Sequence, residues 1–402
     1  MSAPSHRPAT AGGEVYHDNN ATTRPRQEVR AAVHALLTSF PGNASSAHAS
    51  GDRARDSLER ARDQVAALLG GDPAQLVFTS SGTEANNMVL AAVAAGDLPA
   101  RIVTTAVEHP SVLTMCAHLA GCGVEVLRLP VDRDGQVALA ELEAALVAGP
   151  ALVSIQWVNS ETGVVQPVAA IGELCARYGA RFHTDAAQAT GKLRFEVAAL
   201  PVDYLTFTAH KFHGLQGTGG VWVRPGCDLR PALFGGDQES GLRAGTENLP
   251  GIVAAGVAAH RRRQRLEQER DRMRSLRDRF EAALLATGDV AVNGGGSDRV
   301  CNTSNLRFRG VDGQALVARL DQAGLRCSQS SACSNRRPEP SHVLRAMGLS
   351  EAEAYASVRF SFAYDNTMAE VERASAQIRD LCGRLRRFAA RPTAAAAARV
   401  AV

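Results

Sequence analysis

From Gln75 onward the chain repeats one pattern: a short β-branched, apolar run, a cluster of small or polar residues, then apolar positions at helical spacing. Strands are expected at Gln75–Thr79, Arg101–Val107, Val124–Leu129, Ala151–Val158, Arg181–Asp185 and Val202–Thr208. A further apolar run, Val221–Val223, follows a glycine-rich turn. Helices are expected from Glu84 to Gly96, Ala138 to Val147 and Ala169 to Tyr178, and upstream at Pro25–Leu37 and Ala49–Leu69. Strands and helices in alternation predict an α/β fold with a mainly parallel sheet and helices on both faces.

After Leu233 the pattern changes. Phe234–Asn248 is a polar, glycine-rich loop, and Val253–Leu285 is one helical stretch, dense in Arg and Glu between Arg261 and Arg279. That stretch reads as a solvated, charged helix bridging to a second unit. The second unit is α+β, with strands at Asn305–Arg309 and Ala356–Phe362 and helices at Gly313–Ala323, Ser341–Ala346 and Met368–Phe388. The organisation expected is a disordered lead over 1–13, a large domain over 14–260, a small domain over 261–390 and a frayed tail over 391–402. Residues about 14–25 are free to pack with the small domain.

Ligands of parallel sheets gather beyond the carboxyl ends of the strands. There the sequence sets Thr83 and Glu84, His109, Asn159, Asp185 with Gln188, and Thr208 followed by His210 and Lys211. A polar residue at one strand end is routine; such a succession implies a polar ligand. An isolated lysine at a strand end most often snorkels to water. The sharper reading of Lys211 is an amine desolvated and held near cations, able to form a Schiff base.

Composition narrows the classes. The 402 residues are 45% hydrophobic and 21% charged, the balance of a soluble globular protein. A net charge of +3 gives no argument for nucleic acid, and no apolar run reaches the length of a membrane span. The first residues lack the apolar core of a secretory signal. Eight cysteines without a C-x-x-C pair fit neither a disulfide framework nor a zinc site, so reduced thiols in the cytoplasm and no metal are expected.

Pyridoxal phosphate suits this edge. Lys211 would hold it covalently, Asp185 would keep its ring nitrogen protonated, and His109 would stack on the ring. Asn159 and Gln188 would bond its phenolic oxygen, and Thr83, Thr208 and His210 its phosphate, with a helix N-terminus behind them; Glu84 is counted among the cofactor-binding residues.

ATT (Ala21–Thr23), GNASSAH (Gly42–His48), VFTSSGTEANN (Val77–Asn87), FHTDAAQATGK, FTAHKFHG, LRAGTEN, SSAC, EPSHVLRAMGL and SVRFSF resemble the cysteine desulfurases, from about Val15 to Phe388. These are fold-type I, class V aminotransferase-like enzymes. The resemblance implies a large domain with a seven-stranded sheet and a smaller α+β domain. It also implies L-cysteine as substrate, alanine as product, and a persulfide on Cys333, passed to a protein acceptor serving iron–sulfur assembly, tRNA thiolation or a biosynthetic pathway. Spacing after Cys333 matches the family's long-loop group. Arg359 is implied to bind the substrate carboxylate with Asn43 assisting, and Thr246 to reach the cofactor phosphate of a second copy in a homodimer. Asn43-Ala44, Gly214-Leu215 and Arg336-Arg337 depart from the family pattern and bear on the acceptor rather than the chemistry. Cys327 is open to two readings, a relay thiol or a strand-end core cysteine. The alternatives are a selenocysteine lyase or another β-lyase, and a non-catalytic cofactor-binding scaffold.

Overall fold

A computed structural model of the chain describes residues 13–39, 42–96, 98–329 and 339–389. Residues 1–12 of the lead, the tail and Cys333 lie outside the described residues. Seven strands form the main sheet, in the order Leu76–Thr79, Gly219–Val223, Tyr204–Thr208, Arg181–Asp185, Leu152–Ser154, Arg101–Thr105 and Glu125–Leu129. Gly219–Val223 pairs antiparallel with both of its neighbours, and the remaining pairs are parallel. The exception follows from the short turn after Lys211, which returns the chain beside its own strand and leaves no room for a crossover helix.

The strands are shorter than their apolar runs. The run 151–158 is strand only over Leu152–Ser154, because Val158 already bridges to Val165 in the following turn. Tyr204, Leu205, Thr206 and Phe207 are all fully buried, as expected of a strand covered on both faces.

A second core gathers Leu276, Phe280, Leu284, Leu306, Phe308, Leu316, Val358 and Phe360, with Val15 from the start of the chain. It lies on an antiparallel sheet of Val290–Val292, Thr303–Phe308 and Ser357–Ser361. Val15–Tyr16 adds a parallel pair with Leu325–Arg326. The helix Leu249–Leu285 joins the two cores: Leu249, Ile252 and Ala255 pack in the first, Leu276 and Phe280 in the second.

One expectation about that helix is corrected. Arg262 and Glu269 are buried rather than solvated. Arg26 donates to Glu269 Oε1 at 2.7 Å and to Oε2 at 2.5 Å, and Arg262 donates both to Glu269 and to Gly191 O. Arg26 and Gly191 thus meet charges that are desolvated only because they are paired.

Candidate active site

Lys211 ends a single 3-10 turn, Ala209–Lys211, that follows the strand Tyr204–Thr208 directly. Ala209 N–H donates to Thr218 O, and Ala209 O takes the N–H groups of Phe212 and Gly214, which closes the loop tightly under the lysine. His213 has φ of 75°, a conformation costly for a side chain with Cβ. It is held by its own N–H to Thr23 Oγ1 and by its ring against Arg24 O. Lys211 Nζ donates to Asn20 O at 2.5 Å and to Ala21 O at 2.8 Å.

Asp185, at the end of the adjacent strand, is buried, and it accepts from Ala187 N–H at 2.9 Å and from Asn86 Nδ2 at 2.8 Å. Its partners among the described residues are neutral donors, so a cationic ring nitrogen is the kind of group this carboxylate suits. His109 caps the helix Pro110–Gly121: its Nδ1 accepts Ser111 N–H at 3.1 Å. Burial pushes its pKa down, and the resulting neutral ring, with Nδ1 accepting, carries its proton on Nε2. Asn159 Oδ1 is taken by the N–H groups of Glu161 and Thr162, and Nδ2 donates to Val107 O at 3.1 Å. The amide therefore has an N–H left to offer. Gln188 Nε2 donates to Asn20 O at 3.0 Å, the oxygen that Lys211 also uses.

The phosphate side is built at the N-terminus of the helix Gly82–Ala94. Ser81 Oγ takes Glu84 N–H and Ser81 O takes Ala85 N–H, leaving those of Gly82 and Thr83 without a partner among the described residues. A Cβ placed on Gly82 would lie 3.5 Å from Thr208 Cβ, so this helix start abuts the strand end holding Thr208. Thr208 Oγ1 donates to Thr218 O at 3.3 Å. His210 Nδ1 lies 3.1 Å from Thr22 Oγ1, and burial, with Lys211 beside it, lowers its pKa to about 4. A neutral imidazole, free N–H groups and a helix N-terminus suit a phosphate. These residues fit pyridoxal phosphate.

Glu84 faces elsewhere. It takes Arg243 Nε at 3.0 Å and the N–H and hydroxyl of Ser80, so it ties the 234–248 loop to the helix start. Thr246 and Asn43 are exposed in the single chain, and Asn43 Oδ1 accepts from Ser45 N–H at 2.9 Å. Arg359 is buried, donating to Asp18 Oδ1 at 2.8 Å and to Ser160 O at 3.1 Å. Ser328 and Arg359 exchange backbone bonds, and Ser341 Oγ donates to Glu161 Oε2 at 2.5 Å. The described flanks of the segment holding Cys333 are thus fastened at Arg359 and at Glu161, two residues past Asn159. Cys327 is half-buried against the second core and burial raises the pKa of its thiol, which favours its reading as a strand-end core cysteine.

Three contributors escaped sequence reasoning: Asn20, Lys192 and Asp18. The first and third belong to a short polar run, DNN, that reads as a turn; only its position directly before ATT could have flagged it. Lys192 follows Gln188 by four residues, a spacing that is also ordinary for a surface lysine.

The family model for the class-V aminotransferases matches residues 15–374. A cysteine desulfurase of Trichormus azollae is 44% identical over 374 residues, 92% of this chain and 94% of that protein. Among solved structures, a NifS-like protein superposes with a TM-score of 0.86 at 35% identity, covering 92% of this chain and 100% of that one. A NifS-like protein from Rickettsia africae gives 0.83 at 31% identity, covering 91% and 99%.

Proposed function

Because the chain belongs to the aminotransferase class-V family and, within it, to the cysteine desulfurases, we propose that Lys211 carries pyridoxal phosphate and Cys333 takes the sulfur of L-cysteine. The observation that carries this reading is Lys211 Nζ at a strand end, sharing the carbonyl of Asn20 with Gln188. When bound, the cofactor supplies a sink for the electron pair released at the substrate Cα.

This chain's residues would do the rest. Asp185 would hold the ring nitrogen, His109 the ring face, Gln188 and Asn159 the phenolic oxygen. Thr83, Thr208, His210 and the helix start would hold the phosphate, with Thr246 contributed by a second copy. Glu84 acts on this site through Arg243 and Ser80. Arg359 would bind the substrate carboxylate through its guanidinium fork, with Asn43 assisting. Lys211 and the neutral His109 would move the protons at Cα and Cβ. The Cys333 thiolate would attack the substrate sulfur, forming an S–S bond as the Cβ–S bond breaks. The bond's electrons stay on the carbon skeleton, which takes a proton and leaves as alanine, and Cys333 is left as a persulfide for an acceptor protein. The same reading divides the chain into a cofactor-binding unit over 14–260 and a small unit over 261–390.

Borohydride reduction of the purified protein, followed by peptide mapping, tests the cofactor assignment. The adduct is expected on Lys211; an adduct on any other lysine would overturn it.

A further inference from the structure

Lys192 is buried four residues after Gln188, in a run of turns, and has no part in the chemistry above. Its Nζ donates to Gln188 Oε1 and, at 3.0 Å, to Asn20 Oδ1. On the other side of the same amide, Gln188 Nε2 donates to Asn20 O at 3.0 Å.

A glutamine amide keeps its shape when turned by 180°, so only the chemistry at its two ends selects an orientation. A backbone carbonyl oxygen can only accept, which calls for the N–H end of Gln188 at Asn20 O. An amine donor calls for the oxygen end at Lys192. Asn20 cannot turn either. Its Nδ2 donates to Ser160 O at 3.0 Å and to Thr303 Oγ1 at 2.8 Å, and its Oδ1 also accepts from Asn302 Nδ2 at 3.1 Å. Gln188 is left with one arrangement and one spare N–H, beside the oxygen that holds Lys211.

We propose that Lys192 is a positioning residue: it holds the Gln188 amide so that N–H, not oxygen, faces the phenolic oxygen of the cofactor beside Lys211. The inference rests on the pyridoxal phosphate reading above. Burial, with Lys211, Arg262 and Arg359 nearby, drives the basicity of Lys192 well down despite the opposing effect of Cys301. A neutral amine still has the two N–H groups that these two acceptors require.

An N–H on the phenolic oxygen favours the bound cofactor's more negative form, so losing it raises the pH midpoint of the cofactor's absorption change. The test compares the cofactor-loaded parent, Lys192→Met, Gln188→Leu and the double variant, reading that midpoint and the cofactor Kd. Lys192→Met is expected to raise the midpoint and weaken the Kd by about tenfold, the worth of one hydrogen bond to a charged group. In the Gln188→Leu background it should change neither. Equal shifts in both backgrounds, or none in either, would overturn the inference alone. A parent that shows no cofactor absorption would overturn the cofactor reading and this inference with it. Gln188→Glu leaves Lys192 in place and serves if Lys192→Met does not fold. It turns an oxygen toward the phenolic oxygen, so the midpoint should rise, and an unchanged or lower midpoint would overturn the inference.

Discussion

Arg359 donates from Nη2 to Asp18 Oδ1 at 2.8 Å, while its Nε–H, also buried, has no hydrogen-bond partner among the described residues. Nη1 and Nη2 are held by Ser160 O and Asp18, and the Nε–H is the donor that the proposed substrate carboxylate would fill. A buried donor left unmade is costly, so a substrate carboxylate that fills it gains accordingly.

Arg359→Lys keeps the charge but loses the fork. It is expected to raise KM for L-cysteine by roughly 10- to 100-fold, the range of one or two hydrogen bonds to a charged group. The absorption of the bound cofactor should be unchanged. Steady-state kinetics check this; an unchanged KM would mean that the substrate carboxylate binds elsewhere.

Glu108 offers a test on stability. It is buried beside His109, accepting from Thr105 Oγ1 at 2.6 Å and from Gln156 N–H at 2.9 Å, and burial lifts its pKa from 4.5 to about 8. The folded state therefore binds this proton more tightly than the unfolded state. Its contribution is fully present below about pH 4.5 and is lost as pH rises through about 8. Glu108→Gln, neutral throughout, should flatten the fall of Tm between those limits. Thermal unfolding across that range reads the effect, and an unaltered slope would show that Glu108 is ionised when folded.

Much of this arrangement was legible in the sequence, and the reason is local. Each strand announces itself by β-branched runs, and a parallel sheet brings the residues after its strands to one edge without further instruction. The positions of Thr83, His109, Asp185 and Lys211 just beyond strand ends follow from that. Those of Asn20, Lys192 and Asp18 do not, because their roles come from contacts across the chain: Asn20 to Lys211, Asn20 to Lys192, and Asp18 to Arg359. The buried Arg262–Glu269 pair escaped for the same reason, since its helix reads as solvated until Arg26 and Gly191 are brought against it. Val290–Val292 is too short to show a period.

The shared site is tested by assembly. Phe234 is 87% exposed in the single chain, and Thr246 lies exposed in the same loop, which Arg243 ties to Glu84. A homodimer is expected by sedimentation, and Thr246→Ala should retain cofactor less tightly while remaining dimeric. A monomer with full activity would refute the shared site.

The central claim is that Cys333 receives the sulfur. The most direct measurement adds L-cysteine to the protein, traps persulfides with a thiol-reactive probe, and maps the labelled peptide while alanine is counted. The extra sulfur is expected on Cys333. Cys333→Ala should still bind cofactor and still change its spectrum with L-cysteine, but release no alanine. Alanine and persulfide formed by Cys333→Ala at the parent rate would contradict the claim and make Cys333 a bystander.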